Sequence, residues 1–272
     1  MSDQKLNQGL DFLGEKVNYA NSYDPSLLQS VPRQPIHGAL RKIAYDQWNA
    51  YELSWLSSSG MPMVGVGEFT VDGDSEFLIE SKSFKLYLNS LNDHVFSSID
   101  ELSLTLQHDL SGAAKGRVDV VIKTPPFHDI PSNFIQDWLC LESMYTSSPS
   151  LKVTQNVLSI QNEKIVNQKV YTHLLKSNCL VTSQPDWGTL FIEYTGSSWD
   201  LEKLLEYILS YRHHNGFHEQ CVELIFDDIT TRLQPKELMV QACYTRRGGL
   251  DINPIRSSRP DWKGMSGRGF RQ

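Results

Sequence analysis

The hydrophobic pattern runs through one order of elements twice, and this repetition constrains the fold more than any other feature of the chain. In the first half, Met63 to Val71 alternates as a strand does, and Phe77 to Ile79 is a short second strand. The intervening VDGDS has hairpin-turn chemistry. Phe84, Tyr87, Leu88 and Leu91 then recur at helical spacing. Ser98 and Glu101 open a second helix as a capping box, with Ile99, Leu102, Leu106 and Leu110 on its apolar stripe, and Arg117 to Lys123 is again strand-like. In the second half, Lys169 to Lys176 and Thr189 to Tyr194 are the strands, separated by the turn-rich SNCLVTSQPDWG. A helix with Leu201, Leu204, Leu205 and Ile208 on one face follows, then another from near Asn215 to about Leu233, then the strand Glu237 to Arg246, ended by Gly248-Gly249. Both halves are assigned the order β-β-α-α-β-β, of which the residues above place the first five elements, with FLIES in the first standing where LFIEY stands in the second.

Such a chain is expected to be α+β, with two modules, 1–145 and 146–272, each an antiparallel sheet carrying a pair of helices on one face. Its 272 residues are enough for both. The first sixty residues read as an irregular arm anchored at Tyr51 to Leu56, and Asn133 to Tyr145 as a helix within the linker.

Charge is unevenly spread. The net charge is −7, yet residues 246–272 hold seven Lys and Arg against two Asp and Glu, so an end of +5 follows a body of −12. Beyond Arg246 and Arg247 the basic tail reads as a solvated end. With 21% charged and 40% hydrophobic residues, the composition is that of a globular protein, not of a disordered or strongly basic nucleic-acid binder. No run approaches the ~18 apolar residues of a membrane span, and the start lacks the blocks of a signal peptide, so a cytoplasmic protein is expected. Cys140, Cys179, Cys221 and Cys243 form no CxxC pair and are expected as reduced thiols, with Cys140 and Cys243 in apolar runs as core residues.

A dinucleotide fingerprint is absent, because Gly65-x-Gly67 lies inside a strand, and the phosphate-loop pattern is absent too. Chemistry-bearing residues fall in four other places. Cys179 lies in a polar turn with Asp186 seven residues on, as either a nucleophile with its proton partner or a surface cysteine beside a turn. RHHNGFHEQC places His214, His218 and Cys221 at zinc-like spacing if one helix holds all three. Asn215-Gly216 reads as a helix start, however, and puts His214 outside. Glu80, Ser81, Lys82 and Lys85 stand at a strand end and helix start, as a phosphate site or as a capped helix with a basic face. Arg246-Arg247-Gly248-Gly249 adds a strand-end arginine pair suited to a phosphate such as that on the ribose of NADPH.

IESKSFKLYLNS at Ile79 to Ser90 resembles the signature segment of the NADPH-dependent 7-cyano-7-deazaguanine reductases, enzymes of tRNA queuosine biosynthesis. YELSWL at Tyr51, SNCLVTSQPDWG at Ser177, RHHNGFHEQCVE at Arg212 and YTRRGGLDINP at Tyr244 resemble the long, two-module form of that family. The resemblance implies tandem tunnelling-fold modules and reduction of a nitrile to an amine through a covalent cysteine thioimide. It implies Cys179 as nucleophile and Asp186 as proton donor, and Ile79, Glu80, Ser81, His218 and Glu219 as the deazaguanine site. Ser81, Lys82, Arg247 and Gly248 would contact NADPH, of which two are consumed per nitrile. A homodimer is implied, with no metal, no membrane and no direct nucleic-acid contact. Two rival readings are a zinc-dependent pterin or purine cyclohydrolase using His214, His218 and Cys221, and a non-catalytic purine-binding module.

Overall fold

The computed structural model describes residues 22–34, 40–124, 135, 137–144, 154–180, 184–262, 264–265 and 272. The expected module boundary at 145/146 lies outside these. Ten strands and four helices are described: β1 (Ser30–Pro32), β2 (Ile43–Leu56), β3 (Pro62–Asp72), β4 (Phe77–Ile79), α1 (Ser81–Ser90), α2 (Ile99–Ala114), β5 (Val118–Lys123), β6 (Leu139–Cys140), β7 (Ile160–Asn178), β8 (Pro185–Trp199), α3 (Leu201–Ser210), α4 (His218–Leu233), β9 (Glu237–Tyr244) and β10 (Leu250–Ser257). Eight strands form one sheet in the order β5-β3-β2-β10-β9-β8-β7-β6, and β1 pairs with β4 apart from it. The fold is α+β, and every pairing is antiparallel except β6 with β7.

Two helix pairs cover this sheet, and their details repeat. The helices α1 and α3 have 10 residues each, and α2 and α4 have 16 each. The Tyr87 hydroxyl donates to Asp109 at 2.7 Å across the first pair, and the Tyr207 hydroxyl donates to Asp228 at 2.6 Å across the second. Ser90 and Ser210 each donate a 2.6 Å bond to the carbonyl of the tyrosine three residues back. Both long helices end on a left-handed residue, Lys115 at φ 46° and Gln234 at φ 45°. This correspondence aligns Glu80 with Asp200, the N-caps of α1 and α3. FLIES and LFIEY are therefore not equivalent, since LFIEY lies inside β8.

Several sequence expectations are corrected. Residues 43–56 are a 14-residue central strand, not an arm, with Trp48, Ala50, Leu53 and Trp55 in the core. Alternation hides this strand because its register shifts between Ala50 and Leu53 and because an inward position holds a charge, Asp46. β4 pairs with β1, so VDGDS does not join a β3–β4 hairpin. Within 133–145 the described residues form β6 and a 3-10 turn at Leu141–Met144. Ser98 caps α2 through the Glu101 N–H, but Glu101 reaches back to Ser97, and Ile99 is exposed. Cys140 is only half-buried.

The basic tail changes most. β10, interrupted in the hydrophobic pattern by Asn253-Pro254, inserts between β2 and β9 and carries Leu250 and Ile252 into the core of the first half. Arg256, 1% exposed, bonds Asp46 at 2.9 Å and pairs with Glu223 of α4, while Asp46 also binds Arg33 at 2.6 Å. The tail's guanidinium therefore lies inside the molecule, where burial requires paired charges.

Candidate active site

β7 and β8 deliver Cys179 and Asp186 to one place by register. Ser177 faces Asp186 and Asn178 faces Pro185 across the hairpin, and the Cys179 N–H donates to Gln184 O at 2.9 Å. Asp186 thus stands on a strand, 3% exposed, and not in the loop expected from its turn-rich surroundings. The link between α3 and α4 is laced to the same end of β7. Asn178 N–H donates to His214 O at 2.8 Å, Gly216 N–H donates to Asn178 O at 3.1 Å, and Lys176 Nζ donates to Arg212 O at 2.8 Å. These bonds set where α4 begins, and α4 begins at His218.

His218 projects from the first turn of α4, with Nε2 3.7 Å from Asp186 Oδ1 and its ring edge-on to Tyr244 at 4.0 Å. From the other side, Arg247 donates to the same Asp186 oxygen and to Gln184 Oε1, the latter at 3.0 Å. The Arg247 guanidinium also bonds the Cys179 side chain. Burial pushes the Asp186 carboxyl up, but His218 and Arg247 together outweigh it and hold the group below the usual carboxylate range. Glu219, 4% exposed, goes the other way: burial and the nearby Asp46 raise it, against smaller opposing effects of His218 and Arg33.

Lysine and glycine from the two halves meet beside this cluster. Arg247 and Leu250 exchange backbone bonds of 2.8 and 3.1 Å around Gly248 and Gly249, whose positive φ values, 58° and 81°, make a two-residue hairpin turn that favours glycine at both positions. A Cβ on Gly248 would lie 2.8 Å from Lys85 Cδ, so the turn packs on α1. Lys85 Nζ stands 3.9 Å from Glu52, and Arg246 lies 4.7 Å over the Tyr51 ring. Flanking cations with a close-packed glycine turn suit the phosphates of a dinucleotide.

Placement of the sequence candidates is uneven. Cys179, Asp186, His218, Arg247 and Gly248 converge, with Glu219 adjoining. Ile79 is buried in the first half, and the Glu80 carboxylate caps α1 by accepting from Lys82 and Ser83 N–H at 2.9 and 2.7 Å. Ser81 and Lys82 stand exposed at that helix start, one turn from Lys85. The helix alignment sets Ile99-Asp100 opposite His218-Glu219, and Leu201-Glu202 opposite Ser81-Lys82, so each half carries only part of the set. Gln184, Tyr244 and Arg212, which lies 5.2 Å over Trp187, were not among the candidates. Their positions inside the quoted motifs were the available signal. Among the described residues no three His, Cys, Asp or Glu side chains form a metal-sized group. His214 lies outside α4 and packs on Tyr211, while burial pushes the Cys221 thiol up to about 12.

Two family models match the chain. Residues 19–122 match the family described as nitrile reductase, 7-cyano-7-deazaguanine-reductase N-term. Residues 185–262 match the family described as QueF-like protein. Among solved structures, the chain is similar to the crystal structure of the archaeosine synthase QueF-Like in the apo form, at 18% identity over 34% of this chain and 91% of that one, with a TM-score of 0.30. With its two halves matched in order over more than half of its length, the chain belongs to the two-module 7-cyano-7-deazaguanine reductase family of nitrile reductases.

Proposed function

We propose that this protein reduces 7-cyano-7-deazaguanine to 7-aminomethyl-7-deazaguanine with two NADPH, in queuosine biosynthesis, through a thioimide on Cys179. The convergence of a half-buried thiol, a buried carboxylate and a shared guanidinium carries this reading. Sulfur adds to the nitrile carbon, one C–N π bond opens, and the nitrogen takes a proton. Asp186 takes the thiol proton and passes it to that nitrogen, so the carboxylate is regenerated and the proton of the thiol ends on the substrate. Bound NADPH would supply two hydrides, which with one further proton from solvent carry that carbon to the amine. Cys179 leaves as thiolate between them, and exclusion of water protects the imine from hydrolysis.

Substrate recognition falls to Glu219 and His218. The deazaguanine edge presents adjacent N–H donors, for which a carboxylate is complementary, and a buried site makes that match selective. Ile79, Glu80 and Ser81 belong to the same substrate site, and Glu80 serves it from its N-cap position on α1. Ser81, Lys82, Arg247 and Gly248 hold the cofactor, with Lys85 and Arg246 adding positive charge. Residues 1–145 and 146–272 are the two modules, which β10 joins. The assembly is a cytoplasmic homodimer, for which β5, an edge strand among the described residues, offers a pairing edge. No described helix is long and apolar enough to cross a membrane.

Intact-mass measurement after adding 7-cyano-7-deazaguanine without NADPH tests the reading. A substrate-sized adduct in the wild type, lost in Cys179→Ala, supports it, and an unmodified wild type overturns the thioimide. Stoichiometric zinc with hydrolytic activity would favour the cyclohydrolase reading instead.

A further inference from the structure

Arg247 is turned inward. Although the arginine pair reads in sequence as a phosphate clamp, this guanidinium is engaged by Asp186, Gln184 and Cys179, while Arg246 alone faces Tyr51. Its side chain is nonetheless 38% exposed, and it leads directly into the glycine turn that packs on Lys85. One cation therefore stands where it can serve the thiol and carboxylate or an incoming phosphate, but a single planar fork cannot satisfy both fully.

We propose that Arg247 is a positioning residue exchanged between two partners: it holds the Cys179–Asp186 pair in the empty site and transfers to a cofactor phosphate when NADPH binds. This rests on the NADPH and Cys179 reading above. Exchange ties the proton state of the pair to cofactor occupancy. With Arg247 in place, a negative charge on either member of the pair is favoured. With Arg247 withdrawn, the proton is held more tightly. No bond is made or broken in the exchange, and only ion-pair partners change.

Other groups also face the pair. His218, followed by Glu219, approaches from α4, and Cys221 and Tyr244 lie buried behind Asp186. None of these adjoins the glycine turn as Arg247 does, so cofactor binding there acts first on Arg247.

The pH dependence of Cys179 carbamidomethylation, read by peptide mass so that the other three cysteines do not contribute, tests the exchange without any nitrile. In Arg247→Met the midpoint should rise by about one pH unit relative to wild type, a tenfold loss of thiolate at a given pH. Arg247→Lys, which keeps a cation, should stay closer to wild type. Saturating NADPH should move the wild-type midpoint toward the Arg247→Met value and leave that variant unmoved. An equal midpoint in wild type and Arg247→Met overturns the proposal. So does a wild type that binds NADPH, seen by its fluorescence, with no shift. Failure of NADPH to bind wild type at all overturns the cofactor reading itself, and the exchange with it.

Discussion

Arg256 of β10 and Asp46 of β2 form an ion pair at 2.9 Å across 210 residues of sequence, each 1% exposed. It lies in the joint between the first core and the strand that the second half contributes. Glu223 and Arg33 complete the set. Breaking a buried pair leaves an uncompensated charge, so Arg256→Met should cost about 3–5 kcal/mol in urea unfolding. An unchanged midpoint would show that the joint does not depend on it.

Asp46 also sets an acid limit. Burial opposes its ionisation, but Arg256 and Arg33 outweigh burial and hold the carboxyl below its ordinary value. A depressed carboxylate stabilises the fold above the unfolded pKa and loses that contribution as pH falls through the folded one. Stability should therefore decline below about pH 4, and Asp46→Asn should be less stable at neutral pH with a flatter decline, read from thermal midpoints between pH 2 and 7.

The paired tyrosine–aspartate bonds give a test of the duplication. Tyr87→Phe and Tyr207→Phe should each cost about 1.5–3 kcal/mol, as hydrogen bonds to charged partners do. Because each bond lies within its own helix pair, the double variant should lose the sum within about 0.5 kcal/mol. Strong non-additivity in chemical unfolding would contradict independent clamps.

Asp186→Asn should abolish proton transfer while keeping the side chain's shape. A loss of about 10²–10⁴-fold in kcat is expected for a positioned acid–base group. The measurement is NADPH consumption with the nitrile, and a variant within fivefold of wild type would remove Asp186 from the chemistry.

Gly248→Ala should weaken cofactor binding. Its φ of 58° disfavours a side chain, and the added Cβ would push Lys85 from the turn. KM for NADPH should rise several-fold with a smaller change in kcat. A variant altered only in kcat would place the turn away from the cofactor.

The helices were legible because their evidence is local. Phe84, Tyr87 and Leu88 on α1, and Leu204, Leu205 and Ile208 on α3, recur at the helical period and bury as that period requires. The hairpin carrying Cys179 and the strand end at Gly248-Gly249 were legible for the same reason. By itself, then, the sequence determined the helix pairs, the residue types of the site and the family they resemble.

Tertiary structure decided the rest. β2 and β10 escaped notice because Asp46, Asn253 and Arg256 point inward, and an inward polar residue looks like surface until its partner is known. That partner lies some two hundred residues away in the chain. Arg247 shows the same limit: its place in RRGG marked it for a phosphate, but the pairing of β8 with β9 brought it to Asp186. Periodicity reports which face of an element is apolar. Only packing reports which buried charges meet.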